Sequence, residues 1–153
     1  MSTFKETGLK GNILKAIEEL GFTEPTPIQE KTIPHLLQNE NDLVALAQTG
    51  TGKTAAFGLP ILDQIDEKST KTQAIILCPT RELCVQITKD ITNYSKYSTK
   101  IQHTAVYGGA AIVTQIRELK RGSQIVVGTP GRVIDLINRK VLKLNSPSSS
   151  ALS

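Results

Sequence analysis

Between an apolar run at residues 43–47 and an amphipathic stretch at 55–65 lies Gln48-Thr49-Gly50-Thr51-Gly52-Lys53-Thr54, led by Ala47 where comparable loops begin with glycine. The glycines at 50 and 52 let the backbone turn tightly, so that successive N–H groups aim at one point. A helix beginning near Lys53 adds its own orphan N–H groups and positive dipole end to that point. The Lys53 ammonium then reaches β- and γ-phosphates, and the Thr54 hydroxyl takes a Mg²⁺ position. The stretch reads as a phosphate-binding loop for a nucleoside triphosphate, built from Thr49, Gly50, Thr51, Gly52, Lys53 and Thr54; the plainer alternative is an ordinary Gly/Thr loop.

The same strand-to-helix theme recurs. Residues 74–78 form a short apolar run stopped by Pro79, and Leu83, Ile87 and Ile91 follow at helical spacing. Residues 104–107 lead through Gly108-Gly109 to a helix carrying Ile112, Ile116 and Leu119, and residues 125–127 lead through Gly128-Thr129-Pro130-Gly131-Arg132 to one carrying Val133, Leu136 and Ile137. Four such units in succession predict an α/β fold, a parallel sheet with helices on both faces. Ligands gather at the C-terminal ends of the strands in such sheets. The loops there are Pro79-Thr80-Arg81-Glu82, Gly108-Gly109-Ala110 and Thr129-Pro130-Gly131-Arg132. Each offers N–H groups at a helix start and two add an arginine, which suits the phosphates of a nucleic-acid backbone. Ordinary Gly/Pro turns are the competing reading of each loop taken singly.

Upstream, apolar residues at 9, 13, 14, 17 and 20 mark one face of a helix ended by Gly21. In Thr26-Pro27-Ile28-Gln29, threonine can cap a helix whose first residue is proline and whose third is glutamine. Gln29 then has two readings. One is the return arm of a capping box; the other is a carboxamide holding adenine by N6 and N7.

Length and charge narrow the class. A chain of 153 residues makes one domain, and none of its apolar runs approaches a membrane span. No basic-then-apolar leader opens the sequence, so a cytoplasmic setting is expected. Cys78 and Cys84 read as small buried hydrophobes, and His35 and His103 as isolated and non-catalytic. Residues 1–70 carry 6 Lys/Arg against 10 Asp/Glu, whereas residues 71–153 carry 12 against 4. A basic second half fits a polyanionic partner or a merely solvated basic face. The last nine residues, with five serines among the final eight, are expected to be disordered.

Taken in order, these motifs resemble the DEAD-box ATP-dependent RNA helicases, specifically the first of their two RecA-like domains. The resemblance runs over residues 4–144. It is carried by Phe4 seventeen positions before Gly21, the glutamine motif ending at Gln29, A-Q-T-G-T-G-K-T at 47–54, P-T-R-E-L at 79–83 with Gln86 following, G-G at 108–109 and T-P-G-R at 129–132. Cys84 stands where the family often has alanine. The implied fold is a RecA-like phosphate-loop NTPase domain, incomplete at its C-terminus. Residues 1–144 would form a partial ATP-binding domain, with 1–30 as its adenine-recognition segment and 145–153 as a tail.

The resemblance also implies roles. Gln29 would read adenine with Phe4 stacking nearby, and Gly50, Thr51, Gly52, Lys53 and Thr54 would hold the phosphates of ATP and a Mg²⁺. Pro79, Thr80, Arg81, Gly108, Gly109, Thr129, Pro130, Gly131 and Arg132 would grip the sugar-phosphate backbone of one RNA strand without reading bases. The family continues past T-P-G-R and one helix into an apolar strand ending Asp-Glu-Ala-Asp; here a serine-rich run stands in that place. Neither Asp66-Glu67 nor Asp135 follows a strand, so neither substitutes. The chain is therefore expected to bind nucleotide without hydrolysing it, and to self-associate through an unpaired edge at residues 43–47. A non-catalytic nucleotide- or RNA-binding module is the alternative; a small-molecule kinase sits poorly with the glutamine motif and T-P-G-R.

Overall fold

The computed structural model describes residues 3–38, 53–143 and 149–152. A 3₁₀ turn, Phe4–Thr7, precedes helices α1 (Gly11–Glu19), α2 (Pro27–Gln38) and α3 (Lys53–Gln64). Three strand–helix units follow: β1 (Ala74–Leu77) with α4 (Arg81–Tyr94), β2 (His103–Val106) with α5 (Ile112–Arg121), and β3 (Ile125–Gly128) with α6 (Pro130–Asn138). A fourth strand, β4 (Ser149–Leu152), comes last.

The sheet is parallel throughout, in the order β2-β3-β1-β4. Ile125 of β3 lies level with Ala74 of β1 and His103 of β2. Successive side chains of a strand point to opposite faces, and both faces of this sheet are covered. Ala74, Ile76, Ile125 and Val127 pack with Leu59 and Leu62 of α3 and with Cys84, Ile87 and Ile91 of α4. Ile75, Val106 and Val126 pack on the other face with Val133 and Leu136 of α6, joined by Ile112, Ile116 and Leu119 of α5. Burial on both sides explains why β3 reads as a continuous apolar run rather than an alternating one.

The N-terminal helices are tied to this core by polar bonds. The Lys10 N–H donates to Asp63 Oδ1 at 2.7 Å, and Gln64 Nε2 donates to the Leu36 carbonyl at 2.6 Å. Asn12 Nδ2 donates to Ser98 Oγ at 2.8 Å, fixing α1 to the turn after α4. The segment expected to carry adenine recognition is thereby fastened to α3, the helix that Lys53 opens.

Two features differ from expectation. Within the tail, expected to be disordered, Ser149–Leu152 forms β4 and pairs with β1, Ser149 level with Ala74 and Leu152 with Leu77. Composition judges those serines by their poor core-forming power, whereas pairing is decided by the backbone groups that the edge of β1 presents. Residues 145–148 and 153 lie outside the described residues, as does the strand expected at 43–47. The second difference is a shift of β2 by one residue toward its N-terminus. The Tyr107 carbonyl accepts from Gln115 Nε2 at 3.1 Å instead of extending the ladder.

Candidate functional site

On the nucleotide side, α3 begins at Lys53, where the sequence places it. Thr49, Gly50, Thr51 and Gly52 lie outside the described residues. The half-buried Thr54 sits in the first turn of α3, and its hydroxyl favours the charged form of Asp90 on α4. Gln86 Nε2 donates to Asp90 Oδ1 at 3.1 Å. Burial raises the Asp90 pKa above the ordinary carboxylate value, and the bonds from Gln86 and Thr54 oppose that rise. The Thr54 hydroxyl is an oxygen donor of the kind Mg²⁺ takes, an ion that keeps several waters and few protein ligands.

Gln29 is buried, 3% exposed. Its Oε1 accepts from the Thr26 N–H at 3.0 Å, and Thr26 Oγ1 accepts from the Gln29 N–H at 3.4 Å. This is the reciprocal capping box. A carboxamide has two acceptor lone pairs and two donors, so the cap and a base contact do not exclude each other. Phe4, expected to stack near the base, is 5% exposed. Its ring packs in the core 5.9 Å from that of Phe22, which in turn meets Tyr94 edge-on at 6.0 Å.

The three loops after β1, β2 and β3 meet at the C-terminal rim of the sheet. Pro79 and Thr80 lead into α4, and Thr80 caps that helix by accepting from the Leu83 N–H at 3.2 Å. The Arg81 guanidinium lies over the Tyr107 ring, 5.0 Å from its centroid, a cation–π contact. Gly109 adopts φ +83°, a conformation that calls for glycine, and a Cβ there would come within 3.2 Å of Arg81 Nη1. Arg132 Nη1 donates to the Ala110 carbonyl at 3.3 Å and to Gln115 Oε1 at 2.8 Å. The Gly108-Gly109-Ala110 turn therefore lies between the two arginines.

Thr129 precedes α6 in an extended conformation, Pro130 is its first residue, and the Thr129 N–H donates to the Val106 carbonyl at 3.0 Å. Neither Thr129 at the start of α6 nor Ala111 at the start of α5 makes a side-chain cap bond. Helix N-termini of this kind are ready anion sites. Nothing lies within 4 Å of where a Cβ would stand at Gly108 or Gly131, which leaves their backbone open to approach.

Tyr107, Gln115 and Asp90 belong to this constellation, although the sequence motifs do not include them. A signal existed for Gln115. It falls three residues after Ile112 and four before Leu119, a polar residue on the apolar stripe of α5. Asp90 offered no signal, because its partner Thr54 is distant in sequence and only the α3–α4 packing joins them.

Residues 26–149 match the DEAD/DEAH box helicase family model. The chain is 54% identical over 145 residues to the ATP-dependent RNA helicase CshA of Listeria monocytogenes, covering 95% of this chain and 28% of that protein. It is 46% identical to the ATP-dependent RNA helicase DeaD of Escherichia coli, covering 99% of this chain and 24% of that one. Among solved structures, a DEAD box protein from Methanococcus jannaschii superposes with a TM-score of 0.90 at 45% identity, covering 98% of this chain and 40% of the other. Prp28 from Chaetomium thermophilum, an RNA-helicase bound to ADP, superposes with a TM-score of 0.86 at 36% identity, covering 100% of this chain and 38% of the other. The chain thus spans less than half the length of each of these proteins. With its motifs in order on a parallel, helix-covered sheet, it belongs to the DEAD/DEAH box helicase family.

Proposed function

We propose that this chain is the part of an ATP-dependent RNA helicase that binds ATP with Mg²⁺ and one face of a single-stranded RNA backbone. The observation that carries the RNA half is the Gly-Gly turn between Arg81 and Arg132. It gathers two guanidinium groups and two helix starts without side-chain caps on one rim. Those groups recognise phosphates and not bases, so binding is independent of sequence. On the nucleotide side, Lys53 and the residues from Thr49 to Gly52 hold the phosphates, Thr54 takes the Mg²⁺, and Gln29 reads adenine beside Phe4. Bound Mg²⁺ offsets charge developing on the phosphates.

Phosphoryl transfer also needs groups that position water and stabilise charge at the γ-phosphate. The motifs of this chain do not include them, so the 153-residue chain is proposed to bind ATP without turning it over; RNA-stimulated phosphate release would show the opposite. Self-association through the edge at residues 43–47 rests on sequence alone, and light scattering tests it. Among the described residues no helix is long and apolar enough to cross a membrane, and the proposed setting is cytoplasmic.

The deciding experiment is fluorescence anisotropy with labelled oligouridine and oligoadenosine over a range of salt. Similar weak affinities that fall with salt are expected, the slope shrinking by about 0.7 for each phosphate left without its arginine in Arg81→Ala or Arg132→Ala. An unchanged slope in both variants returns the basic half to a solvated surface.

A further inference from the structure

Gln115 is 5% exposed in the middle of the apolar stripe of α5. Burying a carboxamide is unfavourable unless both its ends are bonded, and folding alone would be served by an aliphatic residue beside Ile112, Ile116 and Leu119. Both ends are bonded here. Oε1 accepts from Arg132 Nη1 at 2.8 Å, and Nε2 donates to the Tyr107 carbonyl at 3.1 Å. A guanidinium only donates and a carbonyl only accepts, so these partners fix the orientation of the amide. The carbonyl it grips belongs to the residue whose ring lies under Arg81.

We infer that Gln115 is a positioning residue for the RNA backbone: its carboxamide braces Arg132 against the end of β2 and fixes the spacing between Arg132 and Arg81. The inference rests on the RNA-backbone reading of the rim. A guanidinium has five N–H donors, and the bonds from Nη1 to Gln115 and Ala110 leave the others to face phosphate oxygens. An arginine already held in one rotamer loses less freedom when phosphate arrives, which is the gain from preorganisation.

The test uses the 153-residue chain, Gln115→Met (similar length, no amide), Gln115→Glu, Arg132→Ala and the Gln115→Met/Arg132→Ala double variant. Affinity for labelled oligouridine is read by anisotropy across salt, and circular dichroism gives a thermal midpoint for each. Gln115→Met is expected to weaken RNA binding about 5-fold to 10-fold. Arg132→Ala should cost clearly less in that background than alone, since neighbours that act together are not additive. Gln115→Glu keeps an acceptor for Arg132 but neutralises it, and is expected to flatten the salt dependence. Fully additive losses, with Arg132→Ala alone still weakening binding, overturn the role of Gln115 and leave the RNA reading intact. No loss from Arg132→Ala in the otherwise unaltered chain takes down both. Should Gln115→Met fail to fold, Gln115→Glu decides, an unchanged salt slope there overturning the inference.

Discussion

Thr26 and Gln29 hold each other across the first turn of α2, each side-chain oxygen accepting from the other's backbone N–H. Gln29→Ala removes one arm of that box, and a cap is worth about 1 kcal/mol of stability. If the same amide reads adenine, the substitution also weakens ATP binding by about 1–3 kcal/mol and leaves GTP little changed. Calorimetric titration with both nucleotides separates the roles. Equal losses for ATP and GTP would assign Gln29 to the cap alone.

The Thr54–Asp90 pair yields a metal-dependent expectation. Asp90→Ala removes the carboxylate that interacts with the Thr54 hydroxyl, while residues 49–53 keep their identity. ATP affinity measured with Mg²⁺ should fall about 3-fold to 10-fold, as for loss of a hydrogen bond to a charged group, whereas affinity in excess chelator stays the same. An equal fall under both conditions would show that Asp90 matters only for packing α3 against α4.

Gly128 ends β3 where a Cβ would meet Val133 Cγ2 at 2.5 Å, Val106 Cγ2 at 2.6 Å and the Val106 carbonyl at 3.0 Å. Gly128→Ala is therefore expected to destabilise by about 1–3 kcal/mol through overpacking. Gly131→Ala, which meets nothing within 4 Å, should leave stability within about 0.5 kcal/mol. Urea midpoints of the two variants compare them directly, and similar midpoints would contradict the crowding at Gly128.

A pH dependence follows from His103. Its Nε2 lies 2.8 Å from Thr92 Oγ1, whose proton goes to the Thr88 carbonyl, so Nε2 carries the ring hydrogen and Nδ1 is bare. Nδ1 is buried without a partner among the described residues. Burial lowers the His103 pKa from the ordinary 6.5, and the charge of Glu118 opposes that shift. The unfolded chain then takes up a proton near pH 6.5 that the folded chain refuses, so stability is full above pH 6.5 and declines as pH falls toward the depressed folded value. The slope in that window is at most about 1.4 kcal/mol per pH unit. Urea midpoints above and below the ordinary histidine value, at about pH 7.5 and about pH 5.5, should differ in the unaltered chain and differ less in His103→Gln.

Local pattern settled a good part of this molecule. The helix start at Lys53, the proline opening α2, the glycine after α1 and three strand–helix units are each written in a few consecutive residues. Backbone sterics and side-chain period act over that same range, which is why they could be read in order. The loops that carry the proposed site followed, because glycines and arginines at strand ends are local features on a fold whose ligand edge is known in advance. Packing decided what remained. Gln115 meets Arg132 across 17 residues and Tyr107 across 8, Thr54 meets Asp90 only because α3 lies on α4, and the serine-rich Ser149–Leu152 becomes a strand only because β1 offers it an edge. Contacts between distant segments depend on how completed elements fit together, and no window of neighbouring residues contains that information.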